Sequence, residues 1–366
     1  MNNVQKVNTY APDYMVTPGE VLEDYLEYAG LTQASLAERT GLSKKTINEI
    51  IKAKSAITPE TALRFERTLN RPAHFWSNLE RQYQEDKTRL ADKKRLQDSL
   101  DWLDIFPVNE MAKLGWIERH KVKIEQLNAI LHFFGVASPE LWERIWVRNL
   151  QVEFRKTEKS RKDVGIISAW LRQGEIIAKN QICSKYDKQK FQDSLAGIRN
   201  LTTAEPNVFI PKLESICASC GVAIVFVPAL PRLGIYGATR WFNNKYIMQL
   251  SLYLKSNDHL WFTIFHEAYH IIKHSRREFF IEGKGLENEN KKEYEADVFA
   301  QNLLIPPDQL KHFLASLQKP TLFQIEQFAK MVSIAPGIVA GRLQHEGIMP
   351  MSYGNGLKVR YEWVRE

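Results

Sequence analysis

The sequence predicts an α+β, mostly helical protein, and three observations carry that expectation. Between residues 17 and 80, short apolar-periodic stretches alternate with helix-cap and turn signals. Residues 81–200 keep a helical period but are polar, rich in Lys, Arg, Glu and Gln. From residue 201 strand-like runs appear, "GVAIVFVPAL" and "KYIMQLSLYL", and helices follow them. The expected organisation is therefore three regions, 1–80, 81–200 and 201–366, with a small sheet confined to the last.

Bulk properties narrow the classes. The chain has 366 residues, 44% hydrophobic and 25% charged, which suits several packed cores. It has no apolar run long enough for a membrane helix. The polar N-terminal stretch "MNNVQKVNTYAPDYMV" lacks the apolar centre of a secretory signal. Three cysteines, Cys183, Cys217 and Cys220, cannot build a disulfide framework, so the cytoplasm is the expected compartment. The net charge of +7 suits an acidic partner, but the cations alternate with acids along most of the chain.

The first region reads as a series of capped helices. Thr17-Pro18 opens "GEVLEDYLEYA", and Gly30 stops it. Thr32 caps "QASLAERT", which ends at Gly41; Ser43 caps "KKTINEIIKAK"; Thr58-Pro59 starts "ETALRFERTL". Val21, Leu22, Leu26, Leu36, Ala37, Leu42, Ile47, Ile50, Ile51, Leu63 and Leu69 recur at helical spacing and are the expected core. Two short helices joined by a tight glycine turn form the helix-turn-helix plan, whose second helix enters the major groove. Ser43, Lys44, Lys45, Thr46 and Asn48 would supply donors for phosphates and base edges, and Lys52 extends the basic face. A helical bundle that makes only protein contacts has the same pattern.

The stretch from Thr17 to Asn70 resembles the XRE-type domain of HigA-like antitoxins, and the resemblance continues through "RPAHFWSNLERQYQ". It implies a five-helix domain, closed by that last segment, that binds operator DNA as a homodimer and commonly represses its own promoter.

The middle region offers packing rather than chemistry. Residues 79–100 form a polar connector helix with a sparse seam of Leu79, Tyr83, Leu90, Leu96 and Leu100. Trp102, Trp116, Trp142, Trp146 and Trp170 are expected to pack. The basic run from Arg155 to Lys162 reads as a solvated turn. Cys217 and Cys220 form one CxxC without a second pair, so they read as small buried hydrophobes and not as a zinc site.

The third region carries the chemistry. In "DHLWFTIFHEAYHIIKHS", Trp261, Phe262, Ile264, Phe265, Ile271 and Ile272 predict a largely buried helix. His266 and His270 are one turn apart, so both imidazoles can reach one ion. Glu267 is rotated about 100° from His266, beside the ion, where it can polarise a water. Catalytic zinc takes three protein ligands and keeps a position open. The stretch "NKKEYEADVFAQNLLIP" offers the third: Glu293 shares the apolar face of Ala296, Phe299, Ala300, Leu303 and Leu304. Asp297, also on that face, can hold the second nitrogen of a ligand histidine. Glu295 is the alternative ligand.

"WFTIFHEAYHIIKH" followed by "EYEADVFAQNLLIP" resembles the ImmA/IrrE family of gluzincin-like zinc metallopeptidases, over about residues 200–345. The resemblance implies one zinc per chain on His266, His270 and Glu293, with Glu267 as general base. It also implies that "RLGIYGATRWFNNKYIMQLSL" is a strand layer whose edge binds an extended substrate. The family commonly has Leu-Gly between the glutamate and the second histidine; here Ala268-Tyr269 stand there, which bears on the shape of the cleft. Tyr236 and Arg240 could stabilise an oxyanion, although spacing does not show that they reach the ion. His274 is either an outer partner or a helix-end residue, and His259, His312 and His345 read as surface or structural. The linker "FIEGKGLENENKKEYE" reads as a solvated loop.

Two functions follow. One is a zinc endopeptidase fused to a DNA-binding domain, cleaving an XRE-type repressor or itself. The other is a HigA-like autorepressor whose metallopeptidase-like domain senses a signal or binds a toxin.

Overall fold

The computed structural model describes residues 15–147, 150, 160–276, 278–283, 291–315 and 319–364. The run at 155–159, the linker at 284–290 and most of the N-terminal stretch, 1–14, lie outside the described residues. The chain divides into two compact units, 1–99 and 100–366. No helix among the described residues is long and apolar enough to cross a membrane.

The first unit holds α1 (Pro18–Tyr28), α2 (Gln33–Thr40), α3 (Lys44–Ile51), α4 (Pro59–Leu69) and α5 (Ala73–Gln97). The Thr17, Thr32, Ser43 and Thr58 hydroxyls each accept a backbone N–H of the helix they open. Gly41 closes α2 at φ 68°, a left-handed turn that costs glycine nothing. Leu22, Leu26, Leu36, Ala37, Ile47 and Ile50 meet in the core, as their spacing predicts. Leu63 does not: it is 47% exposed, because Ala62 and Phe65 turn the buried face of α4 inward instead. Trp76 is fully buried, with Tyr25, Phe65 and Phe75 edge-on around it. The closing and connector helices form one element. The expected boundary at residue 80 falls inside α5, where Glu80 accepts the N–H of Ile57 at 3.0 Å. Of the connector's predicted seam Leu96 is buried, whereas Leu90 stays 48% exposed.

The second unit begins with a 3-10 turn, Leu100–Ile105, followed by α6 (Val108–Lys113), α7 (Lys123–Phe134), α8 (Pro139–Trp142) and a π-turn, Glu143–Val147. Trp102, Phe106, Phe134, Trp142 and Trp146 pack edge to face there. The unit continues with α9 (Arg161–Asn180), α10 (Lys188–Arg199), α11 (Pro206–Ser219), β1 (Val222–Phe226), β2 (Ile235–Phe242), β3 (Lys245–Leu250), α12 (Asn257–Lys273), β4 (Phe280–Gly283), α13 (Lys291–Leu304), α14 (Pro307–Ala315), α15 (Leu322–Met331) and α16 (Pro336–His345).

The four strands lie in the order β1-β3-β2-β4. β1 and β3 run parallel; β2 is antiparallel to both its neighbours. Asn243 and Asn244 close the β2–β3 hairpin with φ of 47° and 62°, the twist a two-residue hairpin turn needs. β4 lies within the stretch read from sequence as a solvated loop. Four residues are too few for an alternating pattern, and its strand state comes from pairing with β2.

Every residue of β3 is buried, because helices cover both faces. One face, with Val222, Ile224, Tyr246, Met248 and Leu250, shares a core with Trp261, Ile264, Phe265 and Ala268 of α12. The other meets α9: Gln249 donates to the Trp170 carbonyl at 2.7 Å, and Lys245 Nζ to that of Ala178 at 2.6 Å. The expected division at residue 200 thus lies within the second unit, since α9 closes one side of the sheet.

Candidate metal centre

α12 places His266 and His270 one turn apart, 2% exposed each. Their Nε2 atoms stand 3.0 Å from each other. α13 brings Glu293 to the same point, with Oε2 at 3.0 Å from His266 Nε2 and 3.5 Å from His270 Nε2. Among the described residues this is the one group of three or more His, Cys, Asp or Glu side chains whose ligand atoms converge closely enough to hold a metal ion. Ligand atoms about 2.0–2.1 Å from a tetrahedral zinc stand about 3.3 Å apart, so the three fit that ion with little adjustment.

The surroundings set the tautomers. Asp297 Oδ1 lies 2.9 Å from His266 Nδ1, where it can hold a proton on that nitrogen, so that Nε2 would be the atom free to give up its proton to an ion at the centre. Asp297 itself remains 45% exposed, less inward than its helix face suggested. Burial alone would hold the His266 pKa down, but Glu282, Asp297, Glu293 and Glu267 together raise it well above the usual histidine range. Burial raises Glu293, and hydrogen bonds from both histidines outweigh it, leaving its carboxyl at about 2. Histidine cation and carboxylate stabilise each other, as a divalent ion on the same atoms would stabilise the carboxylate.

Glu267 is fully buried; neither carboxylate oxygen makes a well-formed hydrogen bond within the protein, and the Thr239 hydroxyl is the donor that acts on it. Burial pushes its pKa up to about 8. It points at β2, where Gly237 makes room: a Cβ there would stand 2.6 Å from Glu267 Oε1 and 2.7 Å from Thr263 Cγ2. Strand alternation then explains Arg240. Gly237 faces α12, so Arg240 faces α9, where it donates to the Leu171 carbonyl and lies 3.2 Å from Glu175. It lies on the face of the sheet away from the converging histidines and so cannot serve an oxyanion there. Tyr236 lines a cavity of about 390 Å³ beside the centre, along with Phe262, Glu282, Asp297, Ile338 and Arg342.

Two features escaped the sequence reading. Glu282 on β4 carries a carboxylate oxygen that is buried without a partner, and burial raises its pKa. No local signal marks it. The second is the partner of Glu295, the alternative ligand: Glu295 Oε2 accepts the Tyr269 hydroxyl at 2.8 Å and is not one of the three converging atoms. Tyr269 is absent from the lining of the 390 Å³ cavity, so it does not narrow that space. His274 Nε2 is buried without a partner, its ring 4.7 Å from Phe280. His259 and His345 line the cavity; His312 is exposed.

The residues expected to meet DNA lie along α3 and at its two caps, Ser43 and Lys52. Lys44, Lys45 and Lys52 are exposed, with Lys45 3.8 Å from Glu49. The Ser43 hydroxyl caps the helix and lies 2.8 Å from the Thr46 hydroxyl. Asn48 donates to the side chain of Gln33 on α2 at 3.3 Å.

Comparison with known proteins divides the chain in the same way. Residues 22–76 match the helix-turn-helix family, and residues 231–333 match the peptidase family described as the IrrE N-terminal-like domain. The chain therefore carries both domains. Virulence-associated protein I of Dichelobacter nodosus is 39% identical over 69 residues, 19% of this chain and 64% of that protein, so the match spans less than two thirds of that relative. The solved Pseudomonas aeruginosa antitoxin HigA with the higBA promoter is 28% identical over 23% of this chain and 94% of its own, with a TM-score of 0.22. A HigA-family addiction module antidote protein from Coxiella burnetii is 24% identical over 23% of this chain and 92% of its own, also with a TM-score of 0.22.

Proposed function

We propose that this chain is a DNA-binding transcriptional regulator whose second unit is a zinc-dependent endopeptidase acting on a regulatory protein, either an XRE-type repressor or another copy of itself. The observation that carries the reading is the convergence of His266 Nε2, His270 Nε2 and Glu293 Oε2 on one point with a buried Glu267 beside them. A structural zinc site uses all its positions, whereas three ligands leave one open.

His266, His270 and Glu293 would hold the ion, and Asp297 would keep His266 in the binding tautomer. When bound, zinc supplies Lewis acidity toward a water and the scissile carbonyl. In its ionised form Glu267 would take the proton from the attacking water and return it to the departing amine, since it is the carboxylate beside the ligands on α12. The 390 Å³ cavity would receive a substrate segment. In the first unit, Lys44, Lys45 and Lys52 would meet phosphates, and Ser43, Thr46 and Asn48 the nearby backbone or base edges, with a homodimer reading two half-sites.

The test is cleavage of a candidate repressor by the zinc-loaded protein. Glu267→Gln should retain zinc and lose cleavage; equal cleavage by that variant sinks the mechanism. One observation favours a second reading, in which the domain is a sensor or toxin-binding module with little turnover: Glu267 is wholly enclosed. In that case Glu267→Gln leaves promoter repression and its response unchanged, with no cleavage by either protein.

A further inference from the structure

Tyr269 sits between the two histidines on α12, yet its side chain serves α13. It is 8% exposed, with ring centroids 5.3 Å from Phe299, 5.8 Å from His274 and 6.2 Å from His270. Its hydroxyl donates to Glu295 Oε2 at 2.8 Å. Glu293 and Glu295 are two residues apart, so on a helix their side chains diverge by about 200°. Glu295 therefore cannot share the face from which Glu293 reaches the histidines, and it meets the flank of α12 instead.

The consequence is a three-point attachment of the first turns of α13. Glu293 reaches His266 in the middle, Asp297 reaches His266 at 2.9 Å on one side, and Glu295 reaches Tyr269 on the other. The first two contacts involve the ligand atoms or their immediate partner. The third is a hydrogen bond to no ligand atom, and although the Tyr269 ring packs edge-on to His270, the hydroxyl acts only on where the helix stands. Glu295 also lies 3.8 Å from Lys291, but that pair is exposed and within α13, so it fixes nothing against α12.

We propose that Tyr269 is a positioning residue: through Glu295 its hydroxyl holds α13 against α12, so that Glu293 stands preset as the third zinc ligand. The inference rests on the reading of His266, His270 and Glu293 as ligands. A preset ligand spares the ion the ordering of that helix turn, and loss of such outer support typically weakens metal binding 10–100-fold.

The experiment is zinc affinity of the full-length protein, measured by competition with a chromophoric chelator, beside thermal melting of the metal-free form. Tyr269→Phe keeps the ring and removes the bond; zinc affinity should fall about tenfold. Glu295→Ala should fall equally, the double variant no further, and Glu295→Gln, whose carbonyl still accepts the phenol proton, should stay near the parent. Glu295 is half-exposed, so its variants carry the test even if Tyr269→Phe fails to fold. Unchanged zinc affinity in Tyr269→Phe and Glu295→Ala overturns the proposal, including where only the melting temperature falls. Loss of zinc in Glu295→Ala but not in Tyr269→Phe overturns it in favour of Glu295 as ligand. If His266→Ala binds zinc as well as the parent does, the ligand reading itself fails; if His266→Ala loses zinc while Tyr269→Phe keeps it, only the strut fails.

Discussion

The helix-turn-helix unit and the metal centre solve opposite problems. In the first, the residues proposed to meet DNA lie within 43–52 of the sequence, most of them exposed, on helices held by an apolar core. In the second, His266, Glu267 and His270 are buried polar groups; the partners of the two histidines are Glu293 and Asp297 on α13, and the charge of Glu282 on β4 acts on His266. An exposed lysine can be read from its helix alone. A buried imidazole cannot, because what it does is decided by whatever carboxylate the fold brings to it.

Perturbations should separate the two regions. The largest stability effect belongs to the first: Trp76→Ala should cost about 3–5 kcal/mol in chemical denaturation of the first unit, since it empties a fully buried indole site. Its signature is that zinc affinity stays at the parent value. Asp297→Ala reverses the pattern. Zinc binding should weaken about 10–100-fold, read by chelator competition, while operator binding is unchanged. Gly237→Ala drives a methyl into Glu267 and Thr263, so about 1–3 kcal/mol of stability should be lost, with reduced turnover and zinc retained. A smaller effect is expected in the DNA surface. Lys44→Ala and Lys45→Ala should each flatten the salt dependence of operator binding by about one unit of slope in mobility-shift titrations. An unchanged slope would remove α3 from the phosphate contact. Least of all, Leu63→Gln should change stability by no more than about 0.5 kcal/mol, because its side chain is already in solvent.

Legibility follows the range of the interactions. Caps at Thr17, Thr32, Ser43 and Thr58 are contacts over three residues, and they can be read directly. The one-turn spacing of His266 and His270 is equally local. The face of α4 is less secure, since two overlapping apolar registers compete and Phe65, not Leu63, wins the core by its size. β4 has no pattern of its own and exists through its pairing with β2. Arg240 lies within the strand layer beside the centre, and only the alternation of β2 sends it to the far side of the sheet.

By itself the sequence determined the two domain types, the α+β class dominated by helices, and the helical frame that carries each histidine, because caps, turns and periodicity act between near neighbours. The apolar face of their helix also named Glu293 and Asp297 as candidates, whereas tertiary structure alone paired Glu295 with Tyr269 and brought in Glu282. Glu293 meets His266 across 27 residues and Tyr269 binds Glu295 across 26, while Glu282 arrives on an edge strand. The reason is energetic: a buried polar group needs a partner, and helix packing determines which residue supplies it.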